Sequence, residues 1–99
     1  MNLDEIISVT KGKLVNKYKN MIINSFKTDT RIINKEDAFI ALKGNNYDGN
    51  SFINDNLDCK LVITDNDIKL ENIPVIKVDN TYDTLYYLTK YKLSKYSHL

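Results

Sequence analysis

Two short stretches concentrate the side chains able to do chemistry. Thr28-Asp29-Thr30-Arg31 packs two hydroxyls, a carboxylate and the chain's sole guanidinium into four residues. A planar guanidinium can engage two phosphate oxygens at once, whereas lysine offers only a point charge. The same arginine could instead pair with Asp29 at the surface, and the four residues alone leave both readings open. The second stretch is Gly44-Asn45-Asn46-Tyr47-Asp48-Gly49. Gly44 lets the main chain pass close to a flat ring or a phosphate. Asn45 and Asn46 each present donor and acceptor together, the complement of a pyrimidine's imide edge. A tight connection with no ligand accounts for the same residues. The loop is neither a dinucleotide fingerprint nor a Walker-type phosphate loop, since Lys43 precedes the first glycine.

Other reactive side chains point to less. Asp65-Asn66-Asp67 has calcium-like spacing, but Leu70 stands where the loop glycine belongs and no glutamate follows at the twelfth position. No metal site is expected. His98 has no histidine or cysteine partner, and Cys59, the single cysteine, has no candidate base and reads as a small buried residue. Tyr87 and Tyr91 are either ordinary surface aromatics or a face meant for another domain.

The remaining composition bounds the answer. Ninety-nine residues make one domain. With 42% hydrophobic and 27% charged residues, the chain can bury one core. Fourteen basic against thirteen acidic residues give a formal charge of +1, which argues against a nucleic-acid platform. The longest apolar runs, such as 38–42, are too short for a membrane helix or a signal peptide. One cysteine forms no internal disulfide, so a cytoplasmic location is expected.

Those candidate loops need elements to hold them. Asn2, Asp4 and Glu5 read as the capped, acidic start of a helix with Leu3, Ile6 and Ile7 on one face, ended by a left-handed Gly12. Residues 13–15, 21–26, 38–42, 60–64 and 74–78 read as strands, the last opened by Pro74. Residues 27–37, 43–50 and 65–72 read as loops. A short helix over 51–57 turns Phe52 and Ile53 inward. A long one from Asn80 or Thr81 to about Tyr96 places Tyr82, Leu85, Tyr86, Leu88, Thr89, Leu93 and Tyr96 on one face. Tyr87 and Tyr91 point the other way. The alternation argues α/β with a mixed, partly parallel sheet. Tyr96-Ser97-His98-Leu99 carries no stop signal and reads as a cut.

Taken in order, these segments resemble the N-terminal domain of the Mur ligases, the ATP-dependent enzymes that build the peptide stem of peptidoglycan. The resemblance is carried by Thr28-Asp29-Thr30-Arg31, by residues 37–44 (Asp-Ala-Phe-Ile-Ala-Leu-Lys-Gly) and by residues 47–53 (Tyr-Asp-Gly-Asn-Ser-Phe-Ile). Residues 73–81 (Ile-Pro-Val-Ile-Lys-Val-Asp-Asn-Thr) and the helix with Leu85 and Leu88 complete it, so it spans essentially the whole chain. Asp-Thr-Arg and Ala-Leu-Lys-Gly are most similar to the ligase that adds D-alanyl-D-alanine to UDP-N-acetylmuramoyl-tripeptide. The ligase adding the third stem residue comes second. Three positions depart from the family pattern: Asn50 replaces a histidine, Glu36-Asp37 a Gly-Asp, and Asp58-Cys59 a Gly-Ala pair.

The resemblance implies a three-layer single domain, residues 1–99, with about five short strands and a mixed, partly parallel sheet. It implies that this domain holds the UDP part of a UDP-N-acetylmuramoyl-peptide, with Thr30, Arg31, Gly44, Asn45 and Asn46 facing the nucleotide. Asp48, Gly49 and Asn50 would shape the loop. ATP, magnesium and the amide-forming step belong to a central domain, and the incoming dipeptide to a C-terminal one. Neither lies within these 99 residues, so the domain alone is not expected to be catalytic. The rival reading is a docking or regulatory module of the kind found at the N-terminus of HPr kinase.

Overall fold

The computed structural model describes residues 1–96. The cut expected at the carboxyl end, and any role of His98, lie outside the described residues. In chain order the elements are α1 (Leu3–Thr10), β1 (Lys13–Leu14), β2 (Phe26–Lys27), β3 (Ala38–Ile40), a 3-10 turn (Gly49–Phe52), β4 (Leu61–Thr64), β5 (Val75–Lys77) and α2 (Thr81–Tyr96). The strands form one sheet in the order β1-β5-β4-β3-β2. β2 to β5 run parallel, and β1 closes one edge antiparallel, with Lys13 opposite Lys77 and Leu14 opposite Ile76. The parallel strands therefore all release their loops at the same end of the sheet, the end where open α/β sheets bind ligands.

Strict alternation along the central strands divides the core in two. Ala38, Ile40, Leu61, Ile63 and Ile76 face one side, where they meet Leu3 and Ile6 of α1 and Leu88 of α2. Val62 and Val75 face the other, under Ile73 and the partly buried Ile53, Leu57, Cys59 and Leu70. Both helices thus lie on one face, and the third layer is the 3-10 turn with its flanking loops. A radius of gyration of 12.8 Å matches one domain of this length. No helix among the described residues is long and apolar enough to cross a membrane.

The start of α1 is a complete capping box. The Asn2 side chain accepts from the Glu5 amide at 2.8 Å, and the Glu5 carboxylate accepts from the Asn2 amide at 3.1 Å. Its end differs from expectation. Lys11, not Gly12, takes the left-handed conformation, with φ 56°. Gly12 is required for space instead, because a Cβ there would sit 2.4 Å from Ile76 Cγ2.

Four further expectations are corrected. Residues 21–25 form no strand of the sheet, because most of their main-chain bonds go elsewhere and only the Ser25 carbonyl accepts from Ala38. Met21 accepts from Leu3, Ile23 donates to Met1, and Asn24 donates to Glu36. Only Phe26 and Lys27 pair with β3. The helix expected over 51–57 is a single 3-10 turn, and Phe52 points outward with Ile53 alone packing inward. In α2 the buried positions are Thr81, Thr84 and Leu88 with Leu85 beside them, while Tyr82, Tyr86 and Leu93 are exposed. Tyr91 turns inward rather than away, donating to Glu5 Oε2 at 2.8 Å. Threonines fill the buried seam of α2, and the larger side chains lie at its rim.

Candidate functional site

The loop after β2 is closed at its base by one buried carboxylate. Asp37 accepts from Ser25 Oγ at 2.7 Å, Lys27 Nζ at 2.9 Å and the Asn34 amide at 3.2 Å, so it ties the start of the loop to its end. Burial pushes the Asp37 carboxyl up, but the Lys27 and Ser25 hydrogen bonds outweigh it and hold the group below its usual range. Within the loop, Asp29 accepts from the Arg31 amide at 2.9 Å, an Asx turn. It also holds Arg31 by three side-chain hydrogen bonds, from Nε at 3.0 and 3.1 Å and from Nη2 at 2.7 Å. That bonding lowers the Asp29 carboxyl to about 2 and raises Arg31 further. The Arg31 side chain remains 86% exposed. The arginine thus pairs with its neighbour and still faces solvent.

The loop after β3 is a tight hairpin. Lys43 bridges Asp48, and the Gly44 amide donates to the Tyr47 carbonyl at 2.7 Å. Gly49 passes against the chain it follows, where a Cβ would meet Leu42 N at 3.0 Å. Asp48 caps the 3-10 turn through the Asn50 amide, and Asn50 hydrogen-bonds both the Asp48 carboxylate and the Thr64 hydroxyl at the end of β4. These bonds from Asn50 depress the Asp48 carboxyl. Nothing comparable constrains Gly44. It has no positive φ, and a Cβ added there would meet no atom within 4 Å.

The two loops meet. The Tyr47 hydroxyl donates to the Thr28 carbonyl at 3.1 Å, and the Tyr82 hydroxyl at the start of α2 donates to the Lys43 carbonyl at 3.1 Å. Between the loops lies an open cleft of about 460 Å³, lined by Thr28, Asp29, Thr30, Arg31, Tyr47 and Phe52. Of the residues singled out from sequence, Thr30 and Arg31 line it. Gly44, Asn45 and Asn46 sit exposed along the neighbouring hairpin and do not. Asp48, Gly49 and Asn50 lie beneath it as the hairpin's frame. Sequence reasoning missed Tyr47 and Phe52, whose rings lie 5.9 Å apart at 31°. The available signal was a tyrosine set among glycine, asparagine and aspartate, where no core exists to bury it. Chemically, the cleft offers a flat aromatic wall, two threonine hydroxyls and a guanidinium. It holds no nucleophile paired with a base.

No family model matches the chain. It is 41% identical over 78 residues to the UDP-N-acetylmuramoyl-L-alanyl-D-glutamate--2,6-diaminopimelate ligase of Rickettsia typhi, covering 77% of this chain and 16% of the relative. It is 36% identical over 90 residues to the UDP-N-acetylmuramoyl-tripeptide--D-alanyl-D-alanine ligase of Bacillus subtilis, covering 86% of this chain and 20% of that one. A crystal structure of MurF from Acinetobacter baumannii superposes over 97% of this chain and 21% of its own, with TM-score 0.80 and 25% identity. The chain is related to the N-terminal region of the Mur ligases. It spans about a fifth or less of the length of these relatives.

Within this Mur-type domain, the three departures from the family pattern all have structural employment. Asn50 joins the hairpin to β4 through Thr64. Glu36 pairs with Lys60 at 3.1 Å while Asp37 clamps the first loop. Cys59 packs under the second face of the sheet, where burial pushes its thiol up to about 11.

Proposed function

We propose that this domain anchors the uridine diphosphate of a UDP-N-acetylmuramoyl-peptide for a cytoplasmic ATP-dependent amide ligase of peptidoglycan synthesis. The observation that carries the reading is the single cleft in which Arg31 and Thr30 meet Tyr47 and Phe52 at the carboxyl end of β2 and β3. Arg31 and the threonine hydroxyls address the diphosphate, and the main chain at Gly44 with Asn45 and Asn46 closes over the nucleoside from the adjacent hairpin. Gly44 supports this, since no contact within the chain explains the absence of a side chain there. Holding a remote handle lets binding energy position a carboxylate elsewhere for attack. Amide formation and its ATP and magnesium belong, in this reading, to protein outside these 99 residues.

The added group in this reading is the dipeptide D-alanyl-D-alanine, supported by Asp29-Thr30-Arg31, the run from Ala41 to Gly44 and the likeness to MurF structures. The 41% identity to the Rickettsia typhi enzyme favours the diaminopimelate-adding ligase as the second reading. Paired chimeras separate them. The domain replaces its counterpart in the Bacillus subtilis ligase and, separately, in the Rickettsia typhi ligase, and phosphate release is followed with each host's own substrates. Higher turnover relative to the parent enzyme in the Bacillus subtilis host supports the first reading, and higher relative turnover in the Rickettsia typhi host rejects it.

Anchorage itself is tested on the 99-residue chain. A few solvent-exposed hydrogen bonds support dissociation constants of about 10 μM to 1 mM. Titration with UDP shifts the amides of Thr30, Arg31 and residues 44–46. Saturating UDP with none of these shifts removes the reading.

A further inference from the structure

We propose that the outer face of α2 is an interface for a second copy of this chain, the two helices packing antiparallel about a two-fold axis near Tyr86 and Tyr87. The inference is independent of nucleotide anchorage and uses none of the cleft residues. α2 buries Thr81, Thr84 and Leu88 against the rest of the domain. Its opposite side carries Tyr82, Tyr86, Tyr87 and Leu93, between 49% and 65% exposed, with the exposed Asp83 and Lys90 among them. A cluster of tyrosines on an open helix face has the composition of an interface rather than of ordinary surface.

The order of these six residues selects the partner. A two-fold contact requires each group to meet its complement when the same helix is laid against itself in reverse. Tyr82 with Leu93, Asp83 with Lys90, and Tyr86 with Tyr87 all straddle one point of the helix, to within a single residue. Reversing α2 about that point sets a tyrosine ring on Leu93 of the other copy at each end. Inside those contacts it joins two Asp83–Lys90 pairs, and it brings the tyrosines together at the centre. Among the described residues Asp83 has no ion pair within its own chain. Lys90 Nζ already lies over this face, 5.8 Å from the Tyr86 ring centre. Tyr86 and Tyr87 form one aromatic block, 5.9 Å between centroids, and the Tyr82 hydroxyl is held by the Lys43 carbonyl. One helix pair is a small interface, under about 1,200 Å², so association belongs to the weak range, at about 0.1–1 mM protein.

Sedimentation equilibrium and isotope-filtered NMR on the 99-residue chain test the interface. The average mass of the wild type rises toward that of a dimer as protein approaches about 1 mM. Tyr82 and Leu93 are about 16 Å apart along one helix. A filtered NOE between the Tyr82 ring and the Leu93 methyls in a mixed labelled sample therefore reports the second copy. Asp83→Lys and Lys90→Asp each oppose like charges twice and weaken association about tenfold. The double swap restores it to within about threefold of wild type. A wild type that stays monomeric at every concentration overturns the interface, as do folded single reversals that associate normally or a swap that fails to restore association. A monomeric chain whose Tyr86 and Leu93 resonances shift instead on adding the rest of the Bacillus subtilis ligase overturns it in favour of a domain contact.

Discussion

Arg31 and Gly44 show what single residues disclose in a sequence of this kind. The lone arginine announced itself by type; it grips Asp29 and still lines the cleft. Arg31→Lys should therefore weaken UDP more than uridine, because only the diphosphate uses the fork. Calorimetry with both ligands checks this, and an equal loss would reject the role. The glycines are instructive as a set. Gly12→Ala forces a methyl toward Ile76 and should cost about 1–3 kcal/mol in urea denaturation. Gly44→Ala meets nothing, so its stability should stay within about 0.5 kcal/mol of wild type while UDP binding falls. Composition could not separate these two glycines, because the difference lies in which strand or helix passes overhead. Phe52 was illegible for the same reason. An aromatic beside an apolar isoleucine looks like core until the turn beneath it is seen to have one inward position and not two.

At the scale of elements, the short runs 38–42, 60–64 and 74–78 were legible because each is apolar on both faces and bounded by turn residues. The cap of α1 was legible because Asn2 and Glu5 are local to one another. Asn2→Ala should lower stability by about 1 kcal/mol, read as a reduced denaturation midpoint at constant slope. What failed was anything decided across the chain. Residues 21–25 have strand composition, yet their amides serve the residues around Met1 and Glu36. The face of α2 was misread by taking its largest apolar side chains as the buried ones. Small threonines occupy the seam, and Leu88 is the one apolar residue of α2 fully buried beside them among the described residues. Leu88→Ala should cost about 2–5 kcal/mol, whereas Leu93→Ala, at a position 65% exposed, should stay within about 0.5 kcal/mol. Equal costs would restore the original helix orientation.

For the molecule as a whole, acid is the informative stress. Glu5 is held at about 2, below its usual 4.5, first by the Lys95 hydrogen bond and then by the Asn2 amide and Tyr91. Asp37 and Asp29 are likewise depressed. Carboxyls with lowered values stabilise the fold above their ordinary range and lose that contribution as pH falls through the folded value. Thermal stability should therefore be flat near neutrality and decline below about pH 4.5. Lys27→Met, which strips Asp37 of its cationic partner, should lower stability near neutrality and make the acid decline shallower, because the folded Asp37 value then rises. The Glu5 cluster has one more implication. Lys95 reaches Glu5 across ninety positions of chain. During synthesis α1 is made well before α2 and waits, its apolar side bare, until α2 has been added. A nascent chain stalled at position 80 should be captured by chaperones, and one released past position 96 should not.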